Sequence, residues 1–128
     1  MDANGQFDTF DEMVKVLAPN NPHALVLDWW RRLERATDYY FVAYYGRRRP
    51  TVTEYLGVFE ADPQIGSAAA SEIDRMRLRR NEIAHGTDNP LSPAEAAAFA
   101  ERALDLAWTI GCAVPDQLAL ETGAGRVV

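Results

Sequence analysis

The chain has 128 residues, of which 48% are apolar, 25% charged and 10% aromatic, a composition with room for one hydrophobic core and not for two. A single cysteine, Cys112, excludes a disulfide framework and leaves no zinc-ligand spacing, while no apolar run approaches the ~20 residues of a membrane span and the N-terminus lacks the order of a signal peptide. A cytoplasmic protein with no membrane partner is therefore expected, and its formal net charge of −6 argues against indiscriminate binding of nucleic acid.

Capping signals mark helices from the start. Thr9-Phe10-Asp11-Glu12 has the form of a capping box, in which a hydroxyl accepts from the third residue and a carboxylate reaches back. It opens a first helix from about residue 10 to Ala18, where Pro19 is expected to stop it. Asn21-Pro22 is an N-cap followed by proline at the first helical position, and the next breaker is Gly46. A second helix is thus predicted from about Pro22 to Tyr45, with Leu25, Trp29, Leu33, Ala36, Tyr40 and Ala43 as its buried stripe. Its last turns carry Tyr39, Tyr40, Phe41, Tyr44 and Tyr45, which suit either a core or subunit interface or the stacking of bases.

Gly46-Arg47-Arg48-Arg49-Pro50 reads as a turn whose arginines are either solvated or in contact with phosphate. Thr51-Val52-Thr53-Glu54 again has capping-box form and opens a short third helix ending before Asp62-Pro63. The fourth helix is expected from near Ser67 to about Ala84, with Gly86 as a left-handed cap. Ser92-Pro93-Ala94-Glu95 gives the clearest start in the chain. From there Ala96, Phe99, Ala100, Ala103, Leu104, Ala107, Trp108 and Ile110 form an expected apolar face up to Val114-Pro115. No segment shows the period-two alternation of a hairpin. The expected fold is an all-α bundle of four to five helices over residues 1–115, with a poorly ordered tail at 116–128.

Charge is unevenly distributed. Residues 31–80 carry ten arginines against seven acids, a net +3, between segments of −4 and −5, and Lys15 is the only lysine. Arginine is the side chain suited to bidentate phosphate contact, although a GC-rich genome also favours it over lysine.

Phosphate-binding glycine loops, HExxH and the GxSxG elbow are all absent. Chemistry that needs histidine must use His23 or His85. His23 lies in the first turn of a helix, where the dipole disfavours a cation, so a structural role is expected. On the fourth helix, Ile73, Met76, Arg80 and Ala84 share one face at 100° per residue, which places Arg80 in the apolar stripe. A charge there needs an acidic partner, for which Asp28, Asp38 and Asp105 are candidates, or a seam that admits ligand. Arg75, Arg77 and Arg79 read as solvated charge. His85 sits near the helix C-terminus, where the dipole favours imidazolium; a simple capping role is equally compatible.

Arg80-Asn81-x-x-x-His85 near the end of a long helix resembles the RX4-6H motif of the HEPN superfamily, helical domains in which the arginine is often followed by a polar residue. The resemblance covers about residues 22–114, and its specific part is the motif with Leu78 and Ala84-Gly86. It implies a HEPN-like symmetric homodimer acting as a metal-independent endoribonuclease without cofactor, in a toxin, defence or stress module. Arg80, Asn81 and His85 would be catalytic. Arg47, Arg48, Arg49, Arg77 and Arg79 are weaker candidates for holding RNA. An antitoxin or regulatory protein is the implied further partner. Some members carry a tyrosine two residues after the histidine, which a partner nucleotidyltransferase modifies; this chain has Thr87. The alternative is a noncatalytic HEPN-fold module, similar to the mannitol-repressor group, that binds a protein or nucleotide partner.

Overall fold

The computed structural model describes residues 7–86 and 88–116. It is an all-α bundle of five helices, α1 (Phe10–Asn20), α2 (Pro22–Tyr45), α3 (Val52–Ala61), α4 (Gly66–Ala84) and α5 (Pro93–Cys112), with no strand among the described residues. Beyond Asp116 the expected tail lies outside the described residues, as does Thr87.

Helix starts follow their caps at three of the four expected places. Thr9 Oγ1 accepts from Glu12 N at 3.0 Å, while the Glu12 carboxylate takes the amide of Asp8 at 3.4 Å rather than that of Thr9. Asn21 Oδ1 accepts from Ala24 N at 3.2 Å and Ser92 Oγ from Glu95 N at 3.1 Å. Thr51 is the exception, since it stands at the N-cap of α3 without a side-chain cap bond. Pro19 does not end α1 at Ala18. The helix runs on to Asn20 because Asn20 Nδ2 donates to Val16 O at 2.7 Å and Asn21 N to Leu17 O at 2.7 Å, so carbonyls near the helix end still find donors. Gly46 closes α2 at φ 73°, a left-handed conformation that costs a glycine nothing.

α2 and α5 form the most extensive pairing, and their C-terminal ends meet where Tyr44 Oη donates to Ala113 O at 2.6 Å. α4 runs antiparallel to α5, as the ion pairs Arg102–Glu72 and Arg79–Glu95 show. The expected stripe of α2 is in the core except that Ala36 is only partly buried, and Val26, Trp30, Thr37 and Phe41 widen it. Phe59 of α3 is fully buried against Tyr40 and Phe41, with ring centroids 5.0 and 5.9 Å away; such aromatic pairs add about 0.5–1.5 kcal/mol beyond the area they bury. Asp62 ties the α3–α4 corner to α2 by accepting from Tyr40 Oη at 2.7 Å and from Gln64 N at 2.8 Å. Burial and this bond push the Tyr40 phenol well above its usual range.

The apolar face of α5 is rotated from the expected one. Ala96, Phe99, Ala100, Ala103, Leu106 and Ile110 are buried, Ala107 is partly so, and Leu104 and Trp108 are exposed, Trp108 at 74%. At 100° per residue, positions 104 and 108 lie about 110° and 150° from the middle of the buried stripe. The stripe of α4 also shifts in its last turn, from the expected Ala84, which is exposed, to Ile83.

Candidate active site

The C-terminal half of α4 carries four arginines, and the structure gives them different surroundings. Arg75 pairs with Glu72. Arg77 pairs with Asp74 at 2.8 Å. Arg79, expected as solvated charge, has a side chain only 14% exposed, and its guanidinium forks onto Glu95 with Nε–Oε2 at 2.6 Å and NH2–Oε1 at 2.8 Å. It also reaches Glu82 at 3.1 Å and the carbonyl oxygens of Asn89 and Pro90 at 3.1 and 3.4 Å. These bonds hold the Glu95 carboxyl below, and the Arg79 guanidinium above, their usual ranges. Arg79 therefore locks the α4–α5 connection to the first turn of α5, and its donors are spent on the protein.

Arg80 lies in the stripe where its spacing places it, between Met76 and Ile83, and is partly buried. None of the three acids named as candidates neutralises it. Asp28 pairs with Arg32, Asp38 pairs with Arg49, and Asp105 makes no ion pair among the described residues. Arg80 NH1 donates to Asn81 Oδ1 at 3.2 Å, while its buried Nε has no acceptor. Leaving such a donor unmade costs about 1–3 kcal/mol.

Asn81 joins the motif in both directions. Its side chain takes Arg80, and its backbone carbonyl accepts the His85 N–H at 3.0 Å. His85 is the C-cap of α4 at φ −97° and ψ 3°, followed by Gly86 at φ 75°, the left-handed residue expected there. Its imidazole is exposed and makes no hydrogen bond or ion pair among the described residues. Arg80 and His85 share no bond within the chain, as their offset of about 140° around the helix requires. His23 is exposed in the first turn of α2.

The turn after α2 also divides its arginines. Arg49 bridges Glu34 and Asp38, each at 2.8 Å, and its backbone N–H donates to Asp38 Oδ1 at 3.2 Å. Arg47 and Arg48 are exposed without an ion pair among the described residues. Of the five arginines expected to hold RNA, Arg49, Arg77 and Arg79 are thus engaged by carboxylates and Arg47 and Arg48 are not. A glutamate at i+3 marks part of the Arg79 clamp in the sequence; Glu95, across a turn, has no such local signal.

A shallow groove of about 500 Å³ is lined by Ala107, Trp108, Gly111, Cys112, Val114, Pro115 and Asp116. It lies at the opposite end of α5 from Glu95 and the motif, ~24 Å along the helix axis. Among the described residues no three His, Cys, Asp or Glu side chains gather as a metal site would require, and no helix is long and apolar enough to cross a membrane. No family model, curated protein or solved structure matches the chain.

Proposed function

We propose that the chain is a HEPN-like endoribonuclease acting as a symmetric homodimer in a toxin, defence or stress module, with Arg80, Asn81 and His85 at its active site. The observation that carries this reading is Arg80 itself. Beside an arginine saturated by carboxylates stands one with a buried, unmade donor and no acid, connected through Asn81 to a free histidine at the helix end. A phosphate supplies the charge and the acceptors that this guanidinium lacks.

The chemistry follows from the residue types. Attack of a ribose 2′-oxygen on the adjacent phosphorus needs the 2′ proton removed, charge on the phosphoryl oxygens neutralised, and a proton delivered to the departing 5′-oxygen. Imidazole carries the protons and the guanidinium the charge. Asn81 orients Arg80 by its side chain. Because Arg80 and His85 diverge on one helix, the two motifs meet across a two-fold axis, where one subunit's guanidinium faces the histidine of the other. The products carry 2′,3′-cyclic phosphate and 5′-hydroxyl ends.

The test is RNA cleavage in EDTA with analysis of the product ends. His85→Ala and Arg80→Ala are expected to lose about 10²-fold or more of the rate while helicity and the dimer persist in sedimentation. Cleavage that survives His85→Ala overturns the reading.

The exposed Trp108 and Leu104 beside the groove favour a second reading, a noncatalytic module that binds a partner through α5. It predicts no cleavage at high protein concentration and loss of partner capture in Trp108→Ser.

A further inference from the structure

Apart from Arg80, the arginines among the described residues fall into two classes. Arg32, Arg49, Arg75, Arg77, Arg79 and Arg102 each pair with a carboxylate. Arg31, Arg35, Arg47 and Arg48 are exposed and have no ion pair among the described residues. The cause is local competition. The acids that α2 places three residues from Arg31 and Arg35 are Asp28, Glu34 and Asp38. Arg32 occupies Asp28, and Arg49 occupies the other two. Since the Arg49 backbone itself bonds Asp38, the turn is folded back on the middle of α2, which brings the chain immediately after Arg47 and Arg48 to the helix turn that follows Arg35.

An aromatic ring lies on the same face. Tyr45 follows Arg31 by two heptads and Asp38 by one, a spacing that keeps all three on one line of the helix surface. It is 55% exposed, and its ring stacks on Phe41 at 5.3 Å with an interplanar angle of 24° and lies 6.4 Å from Tyr44, which holds it in place while about half of it meets solvent. Unpaired guanidinium groups spread along ~21 Å of a helix face that ends in an anchored, exposed aromatic ring have the chemistry of a single-stranded nucleic-acid surface. An anionic membrane can take up a tyrosine at its interface but carries no ring to stack on it.

We infer that the outer face of α2 and the following turn form a track for single-stranded RNA, in which Arg31, Arg35, Arg47 and Arg48 hold phosphates and Tyr45 stacks on a base. The choice of RNA rests on the proposed function; the track itself requires no catalysis. Arg49 positions it by withholding Glu34 and Asp38 from the free arginines.

The experiment uses the full chain carrying His85→Ala and a fluorescein-labelled 20-nucleotide single-stranded RNA of mixed sequence, with anisotropy read between 50 and 200 mM NaCl. Replacing the four arginines by alanine is expected to weaken binding at least tenfold and to flatten the slope of log K against log salt by about 3. Tyr45→Ala is expected to weaken binding about tenfold without changing the slope, and Tyr45→Phe to restore it. Unchanged affinity and slope in the fourfold variant, with helicity intact, overturns the inference. Equal, arginine-dependent binding of phosphatidylserine vesicles or of polyglutamate also overturns it. Cleavage of a dinucleotide by the unmodified protein reports on the catalytic reading separately. A protein that binds RNA through these arginines yet cleaves no dinucleotide keeps the track and loses the nuclease; the converse result keeps the nuclease and loses the track.

Discussion

The connections after α2 (residues 46–51) and after α4 (residues 85–92) are each tied down by one arginine, which lies in the turn itself in the first case and on the preceding helix in the second, and the outcomes are opposite. Each uses one arginine as a clamp onto a helix, Arg49 onto Glu34 and Asp38 in the first and Arg79 onto Glu95 and Glu82 in the second. Each leaves a sequence neighbour of that clamp without an acid. In the α2–α3 turn the free neighbours, Arg47 and Arg48, stand in solvent, where an unpaired charge costs little; at the end of α4 the free neighbour, Arg80, is drawn into the apolar stripe. An exposed free arginine contributes long-range attraction for an anion, whereas a partly buried one waits for a specific, directional acceptor. Under the readings proposed above, the difference would separate a surface that gathers a polyanion from a position that engages one phosphate.

The comparison breaks most visibly at Arg79 and Arg80. Arg79→Met strips Glu95 of both its bonds and is expected to cost about 2 kcal/mol, below the full penalty for a buried pair because the Glu95 side chain is 39% exposed. Arg80→Met leaves no acid behind and puts an apolar chain in an apolar stripe. Its stability should be unchanged or higher by up to about 1 kcal/mol while cleavage is lost. Urea midpoints at constant m value check both, and equal destabilisation by the two changes would remove the distinction. The clamp also has a pH signature. Arg79 holds the folded-state Glu95 carboxyl below its ordinary 4.5, so this contribution is complete above the unfolded value and is lost as pH falls through the lower folded one. The stability gap between the wild type and Arg79→Met should therefore be constant near neutrality and close as pH drops below about 4.5.

Arg49→Ala gives a smaller loss, about 1 kcal/mol, because both its bridges are partly exposed. It also frees two carboxylates beside Arg31 and Arg35. RNA affinity should fall although Arg49 touches no phosphate, and Glu34→Gln combined with Asp38→Asn should recover much of it. Affinity that rises or stays constant in Arg49→Ala would show that the two acids do not compete for the neighbouring arginines.

The helix boundaries were legible because Thr9, Asn21, Ser92, Gly46 and Gly86 act locally, each through its own hydroxyl, amide or φ. The position of Arg80 was legible for the same reason, since helical periodicity alone puts it with Ile73 and Met76. What periodicity does not contain is which acid reaches which arginine. Glu95 lies 16 residues from Arg79, and Arg49 meets Glu34 across 15, so both clamps depend on how a turn folds back. The face of α5 was misjudged for a different reason. Residues 94–100 are five alanines with Glu95 and Phe99, and alanine fits core and surface alike, so the pattern contained too little contrast to fix the rotation that exposes Leu104 and Trp108.

The smallest effect separates the two connections at their caps. Ser92 and Thr51 occupy the same place in the same sequence pattern, a hydroxyl three residues before a glutamate. Ser92 Oγ accepts from Glu95 N at 3.1 Å, whereas Thr51, at φ −58°, makes no cap bond. Ser92→Ala should cost about 1 kcal/mol, the ordinary value of an N-cap, and Thr51→Ala less than about 0.5 kcal/mol, as for an exposed residue outside any such feature. The two caps also differ in what they support. Glu95 is at once the residue that Ser92 caps and the carboxylate that Arg79 grips, so loss of the cap loosens the backbone that presents the carboxylate. The cost of Ser92→Ala should then shrink in the Arg79→Met background, while that of Thr51→Ala stays the same whether Arg49 is present or not. Double-mutant cycles measure both couplings, and a cap at Ser92 that adds independently of Arg79 would mean that the α4–α5 connection is two separate contacts rather than one structure.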